Sequence, residues 1–529
     1  MLKMLSRFGQ FPIAPLAIPI LVGLPVWLGG ANTLRLSYQD VLPTIFVLFV
    51  LVAALMAVIR LFVGSWKRAA LIALVWTGYS LYFPTFVRAF STSTWVVVPA
   101  LALGALLAWD ISRRIPKDEA ALAKAGGIFN LLVWLPACFY IGLVTTMEVK
   151  LERGRPDPRE TFAAFPGKAD KDSPDVWHFV MDRYAGATTL ERVYNYDNSK
   201  FIEALRARGF DVADDAYSNY AMTPISLAST LNASYLDKYT PKLGNQADVV
   251  PMFDAIEHSR AFEFFRKQGY EFIFSGSWAD VTFNNAHADR DINFRALPEF
   301  PRIIIDQSAP GAIGEIFHVP FTDGRLDQCE RVKYKFRELH KVAGEKGRKM
   351  VFAHFLVPHP PYVLKADGSC QSLAEASRNT RRDDYVGQIE YANRELLGMI
   401  DAILAGPRPA TIVIHSDEGP YPAPFVVDEP EHPVVHKKGE KQPSVTLAHQ
   451  REKTSILMAI RHADGKSTGA LNSAINTYPV ILNHSFGANI PLKPDRTFFF
   501  AKLNIYPNFK DITDDLRRGE DLRQPRDNK

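Results

Sequence analysis

Five apolar runs crowd the first part of this chain, and no other feature narrows its possible folds as much. They are Phe11–Leu28, Val41–Val63, Ala69–Val87, Trp95–Trp109 and Gly126–Thr146. A helix of about 20 mostly apolar residues crosses the hydrocarbon core of a bilayer. Helices buried in a soluble protein would also be apolar, but five in succession, separated by polar or basic breaks, read as a membrane domain over residues 1–148. The first run is not followed by a small-residue cleavage site, so it does not read as a removable signal peptide.

Lysine and arginine placement sets the expected orientation. Lys3 and Arg7 precede the first run, Lys67 and Arg68 follow the second, and Arg113, Arg114, Lys117 and Lys124 follow the fourth. The alternate loops carry only Arg35 and Arg88. This predicts an amino terminus inside the cell and, with five spans, a C-terminal domain outside it. Lys150, Arg153, Arg155 and Arg159 after the fifth run count against that orientation, but large translocated domains obey charge rules poorly. The expected location is a bacterial-type inner membrane, with the C-terminal domain periplasmic.

Gly154, Pro156, Asp157, Pro158 and Pro166 mark a linker, 149–172. A soluble domain is expected over 173–512, and a charged, solvated tail over 513–529. With 529 residues, a net charge of +4 and a pI near 8.7, the chain is too long for one domain and too weakly basic to argue for a nucleic-acid partner. Its three cysteines form no Cys-x-x-Cys pair, which excludes zinc ribbons and thioredoxin-like motifs. Cys329 and Cys370 would pair in an oxidising compartment or stand as two separate thiols.

From Asp175 onward, apolar strands alternate with helical patterns. "DVWHFVMD" reads as a strand ending in Asp182, and "SKFIEALRARGF" as a helix stopped by Gly209. Two longer helix-then-strand units end in "VFAHFLVPH" and "TIVIHSDEG". This is the pattern of an α/β domain with a mostly parallel sheet covered on both faces. Sites in such sheets form at the carboxyl ends of strands. Asp182, His359 and the adjacent Asp417 and Glu418 occupy those ends.

Carboxylates gathered at one sheet edge repel one another and are costly to desolvate, and a divalent cation relieves both costs. Taken singly, Asp182 reads as a turn residue and Asp417–Glu418 as a solvated loop; together they favour a metal. Thr223 before Pro224 reads as the N-cap of a helix, where free N–H groups and the dipole favour negative charge. It is the candidate nucleophile, although a capping threonine needs no chemistry. His359 lies in "HFLVPHPPY", where prolines hold the loop, and would contact a phosphoryl oxygen or protonate a leaving group. His354 reads as a core histidine within its strand. Arg183 and His449 complete the candidate substrate contacts, with His449 the weaker and reading first as a surface-loop residue.

"DVWHFVMDRY", "SNYAMTPISLASTLN", "FLVPHPPY" and "IVIHSDEGP" resemble, in order and spacing, the motifs of the alkaline phosphatase/sulfatase superfamily. "INTYPVILNHSFGANIPLKPD" resembles the C-terminal helix region of sulfatase-like membrane proteins. Five spans before an exported catalytic domain is the plan of lipoteichoic acid synthases and lipid A phosphoethanolamine transferases. The resemblance implies that Asp182, Thr223 and Asp417 bind one divalent metal ion (manganese, magnesium, calcium or zinc). It implies that Thr223 is also the nucleophile, that His359 contacts substrate, and that Glu418 stands where the family usually has histidine. An added carboxylate makes the site harder and favours magnesium, manganese or calcium over zinc. Sulfatases proper modify a cysteine or serine in a Cys-x-Pro-x-Arg type motif, which neither Cys329 nor Cys370 fits. The implied activity is transfer of a phosphoryl-linked head group, of phosphoglycerol or phosphoethanolamine type, from a lipid donor to an envelope lipid or glycan. A membrane-anchored hydrolase and a non-catalytic scaffold with a decayed site are the alternatives.

Overall fold

The computed structural model describes residues 7–30, 38–88, 90, 94–155, 157, 162–236, 249–277, 279–294, 298–319, 322–426, 429, 431–432, 434, 444–500 and 509–518. Lys3, Arg35, Pro156, Pro158, Arg159 and the tail beyond residue 518 lie outside them. The chain divides into two compact units: Met1–Gly154 with Leu297–Asp327, and Arg155–Ala296 with Gln328–Lys529.

The first unit contains helices α1 (Ile18–Gly30), α2 (Tyr38–Val63), α3 (Trp66–Arg88), α4 (Thr94–Arg114) and α5 (Glu119–Glu152). The last four are each long and apolar enough to cross a membrane. The first apolar run differs from the expected full span. It forms a 3-10 turn, Ala14–Ala17, and then the 13-residue α1. Pro12, Pro15 and Pro19 explain this, because each lacks the N–H that an earlier helical start would use. The fourth run, short in sequence, extends to a 21-residue helix because polar residues at its end continue the turn. Asp118 caps α5 by accepting a 2.7 Å bond from the Ala121 N–H.

The second unit is a seven-stranded sheet between two helical layers. Its strands are β1 (Asp175–Met181), β2 (Asp211–Val212), β3 (Glu271–Ser275), β4 (Arg290–Asp291), β5 (Lys349–Phe355), β6 (Ala410–His415) and β7 (Met458–Arg461). Their spatial order is β2-β7-β6-β1-β5-β3-β4. The five strands from β6 to β4 run parallel, and β7 and β2 close the other edge antiparallel. This is the expected mostly parallel α/β arrangement.

Strand alternation assigns the two faces. Trp177, Phe179 and Met181 of β1 pack with Val332, Phe336, Tyr385 and Ile389 on one face. Val176 and Val180 pack with Ile225, Leu231, Phe262 and Ile481 on the other. The latter residues come from α6 (Thr223–Asn232), α7 (Arg260–Lys267) and α8 (Thr477–Phe486). β1 is buried along its whole length, which is why it reads as a nearly continuous apolar run. The helix before β2, Ser199–Ala207, stops as expected at Gly209, whose φ of +82° suits glycine.

Candidate metal centre and nucleophile

β6, β1 and β5 are adjacent, so their carboxyl ends deliver side chains to one edge. Val180 pairs with His354 on one side and His415 on the other, placing all three on the face covered by α6. Asp182 follows β1, with its N–H bonded to the Phe355 carbonyl at 2.9 Å. Asp417 follows β6 by two residues, in a loop laced to its surroundings. The Ser416 hydroxyl accepts from Tyr184 N–H at 3.0 Å and donates to the Glu418 carbonyl at 2.6 Å. The Gly419 N–H bonds to the Lys453 carbonyl at 2.8 Å. A Cβ on Gly419 would stand 2.2 Å from the Glu452 carbonyl, so only glycine permits this close approach.

One ligand-type atom from each of Asp182, His354 and Asp417 lies within 4.8 Å of the others, and all three residues are buried. The His354 Nδ1 lies 2.7 Å from the Thr282 hydroxyl, and its Nε2 faces Asp182 Oδ2 at 3.3 Å without hydrogen-bond alignment. Burial pushes the His354 pKa down to about 4, so the ring is neutral. In the tautomer with Nδ1–H bonded to Thr282, the Nε2 lone pair points to the acids. Burial, then the charges of Asp182 and Glu418, push the Asp417 pKa up to about 7. Neither Asp417 carboxylate oxygen has a regular hydrogen-bond partner. Two buried carboxylates and an imidazole lone pair facing one another fit a divalent cation.

Thr223 opens α6 and stands close enough to Asp417 to favour its charged form. The helix starts one residue earlier than the expected cap. Met222 is extended, and its carbonyl accepts from Ile225 and Ser226 at 3.1 and 2.9 Å. Thr223 therefore lies in the first turn rather than at the cap, still at the positive end of the dipole.

Glu418 does not join the three converging groups. Its Oε1 is 2.6 Å from the Lys453 Nζ and 3.4 Å from the Arg183 Nε. Both cations lie over the Tyr421 ring, at 3.6 and 4.3 Å from its centroid. These two positive charges draw the side chain off the axis taken by Asp417. Lys453 ends the helix α9 (Leu447–Thr454), which also carries His449. His449 accepts at Nδ1 from the Thr446 N–H within a capping box and meets Phe425 edge-on. His359 is half-buried in the loop after β5, with its Nδ1 on the Pro360 carbonyl. That loop is not a plain extended run, since Val357–Pro358 and Pro360–Pro361 are cis.

Sequence reading assigned His354 to the core and passed over Thr282, Lys453 and Tyr421. His354 shares a strand face with Phe352, a position that reads as packing unless the neighbouring strands are known. Cys329 and Cys370 form a disulfide across 41 residues.

No protein-family model matches the chain, and no curated protein matches it in sequence. Solved structures do resemble it. One is the C-terminal periplasmic domain of EcEptC from Escherichia coli, at 12% identity and a TM-score of 0.42, covering 68% of this chain and 98% of that one. Another is the integral membrane protein lipooligosaccharide phosphoethanolamine transferase A from Neisseria meningitidis, at 11% identity and a TM-score of 0.35, covering 84% and 88%. A third is an alkaline phosphatase superfamily protein from Vibrio parahaemolyticus, at 10% identity and a TM-score of 0.38, covering 66% and 81%.

Proposed function

We propose that this protein transfers a phosphoryl-linked head group from a membrane lipid to an envelope lipid or glycan, through a covalent intermediate on Thr223. The observation that carries the reading is the convergence of Asp182, His354 and Asp417 beside the threonine that opens α6. Those three side chains, with the threonine oxygen, would hold one divalent cation. The mixed imidazole and carboxylate set suits zinc or manganese. Bound there, the cation supplies a lowered pKa at the hydroxyl and charge compensation at the phosphoryl oxygens.

Thr223 Oγ1 forms a bond to phosphorus while the bond from phosphorus to the donor's alkoxide breaks; the departing alcohol carries away the proton that Thr223 gives up. In the second step an acceptor hydroxyl attacks the same phosphorus, the bond from phosphorus to Thr223 Oγ1 breaks, and the acceptor's proton passes to Thr223. The first-turn N–H groups of α6 face the charge that develops on the phosphoryl oxygens. Arg183 and His359 are the proposed substrate contacts, with His359 placed to protonate the leaving oxygen. The disulfide supports an extracytoplasmic location for the second unit, because such bonds persist in oxidising compartments.

The test is mass spectrometry of the Thr223 peptide after incubating the full chain, in lipid, with metal and a phosphoethanolamine or phosphoglycerol lipid. Thr223 bearing the phosphoethanolamine or phosphoglycerol head group is expected in wild type, and no such adduct in Thr223→Ala. Full transfer activity in Thr223→Ala would overturn the assignment. Product formed at the same rate without an acceptor lipid would assign the chemistry to hydrolysis.

A further inference from the structure

Leu297–Asp327 interrupts the second unit in chain order yet clusters with the membrane helices. It forms two short helices, α10 (Glu299–Gln307) and α11 (Ala309–Phe317). Ser308 joins them, capping the Gly311 N–H at 3.4 Å and donating to the Ile305 carbonyl at 2.6 Å. A Cβ on Gly311 would stand 2.0 Å from the Ile305 carbonyl, so the two helices close tightly. The inward face is apolar. Phe300 and Ile304 pack with Val22, Trp27 and Val41, and Ala312 and Ile316 pack with Val87, Val97 and Leu101. The polar attachment is Arg88, at the end of α3, which donates to the Asp306 carbonyl at 2.8 Å and to Glu315 at 2.7 Å.

The outward face of α11 is apolar as well. Ile313 and Phe317, one helical turn apart, are 46% and 67% exposed, and Val319 is 42% exposed. The one charge on α11, Glu315, is taken by Arg88. The ends of α3 and α4 against which the hairpin packs expose Phe86, Phe90, Trp95 and Val96. The outward face therefore continues the apolar belt of helices built to cross a bilayer. A helix that presents aromatic and aliphatic side chains outward beside membrane spans buries that side at the boundary of head groups and acyl chains.

We propose that α10 and α11 form an interfacial hairpin, with Ile313, Phe317 and Val319 embedded among the acyl chains of the leaflet where α3 ends and α4 begins. His318, exposed beside them, faces the head groups.

Site-directed spin labelling of the full chain in phosphatidylglycerol/phosphatidylethanolamine vesicles tests this. In a Cys138→Ser background the disulfide leaves only an introduced thiol to react. Labels at Phe317→Cys and, independently, Val319→Cys should collide with oxygen more often than with a water-soluble nickel chelate. They should resemble a lipid-facing control at Leu132→Cys and differ from a water-facing control at Asp367→Cys. Nickel collision rates equal to those at Asp367→Cys, at both positions, would overturn the proposal in favour of a solvated hairpin. So would spin–spin broadening that grows with protein density, which would assign the face to a second copy. Low access to both reagents would assign it to a protein cover.

Discussion

Replacing Lys453 with methionine should destabilise the second unit without emptying the metal centre. The Lys453–Glu418 contact is 2.6 Å long and both side chains are about 95% buried. Removing one partner of a buried ion pair costs about 3–5 kcal/mol, because the other charge is left in a poorly polarisable interior. Arg183 remains 3.4 Å from Glu418 and would keep part of the compensation, so the lower end, about 3 kcal/mol, is expected for Lys453→Met. Glu418→Gln should cost about as much, since the Lys453 Nζ loses its charged partner and keeps the neutral Gln oxygen, the Gly419 carbonyl at 3.5 Å and the Tyr421 ring. The double variant should cost about as much as either single one, about 3 kcal/mol, because Arg183 is then buried without its counter-charge. The coupling read from denaturant unfolding of the full chain in detergent would then be about 3 kcal/mol. Bound metal, measured by mass spectrometry after dialysis, should stay near wild-type stoichiometry in Glu418→Gln and fall in Asp417→Asn. Loss of metal in Glu418→Gln equal to that in Asp417→Asn, together with additive stabilities, would refute the view that Glu418 serves the cations and Asp417 the ion.

Thr282→Val removes the partner of His354 Nδ1, and metal affinity measured by competitive chelation should drop about 10- to 100-fold, as for other groups that orient a ligand. Cys329→Ser opens a loop of 41 residues, and the full chain should lose about 4 kcal/mol on the chain-entropy account, read by denaturant unfolding. His178 is fully buried, and burial followed by the nearby His415 holds its pKa well below 6.5. A histidine depressed in the fold contributes stability that is present above the unfolded value and lost as pH falls below about 6.5, at up to about 1.4 kcal/mol per pH unit. His178→Gln should flatten that acid limb in thermal unfolding between pH 6.5 and 5; an unchanged slope would assign the limb to other groups.

The candidate acids and the threonine were legible because their signals are local. A strand that ends in a carboxylate, and a Thr-Pro step before an apolar helix, announce themselves within a few residues. The parallel sheet was legible for the same reason, through repeated helix-then-strand units. His354 was not, since its environment depends on β1 lying between β5 and β6, a pairing across about 170 residues of chain. Glu418 was assigned with Asp417 because adjacency in sequence suggests a shared duty. The chain bends at these two residues just after β6, and their side chains diverge, Asp417 to the metal-type cluster and Glu418 to Lys453 and Arg183. The α10–α11 hairpin escaped sequence reading entirely, because its apolar content matches a soluble helix pair and only tertiary packing assigns it to the membrane unit.

These placements account for why three acids are kept at one buried sheet edge. Asp182, Asp417 and Glu418 carry three formal negative charges there, against Arg183 and Lys453, while His354 is neutral. Left so, the edge carries one excess negative charge and would repel a phosphodiester. A divalent ion between Asp182, His354 and Asp417 reverses the balance to one excess positive charge, matched to the single negative charge of a diester head group. Glu418 is central to that balance. Were it absent, Lys453 and Arg183 would be buried without a counter-charge beside a cation; with it, they stay in place as a neutralised wall behind the ion. A Glu418→His substitution removes this counter-charge, so it should weaken stability and raise affinity for phosphate esters together, and a change in only one of the two would argue against this electrostatic division of labour.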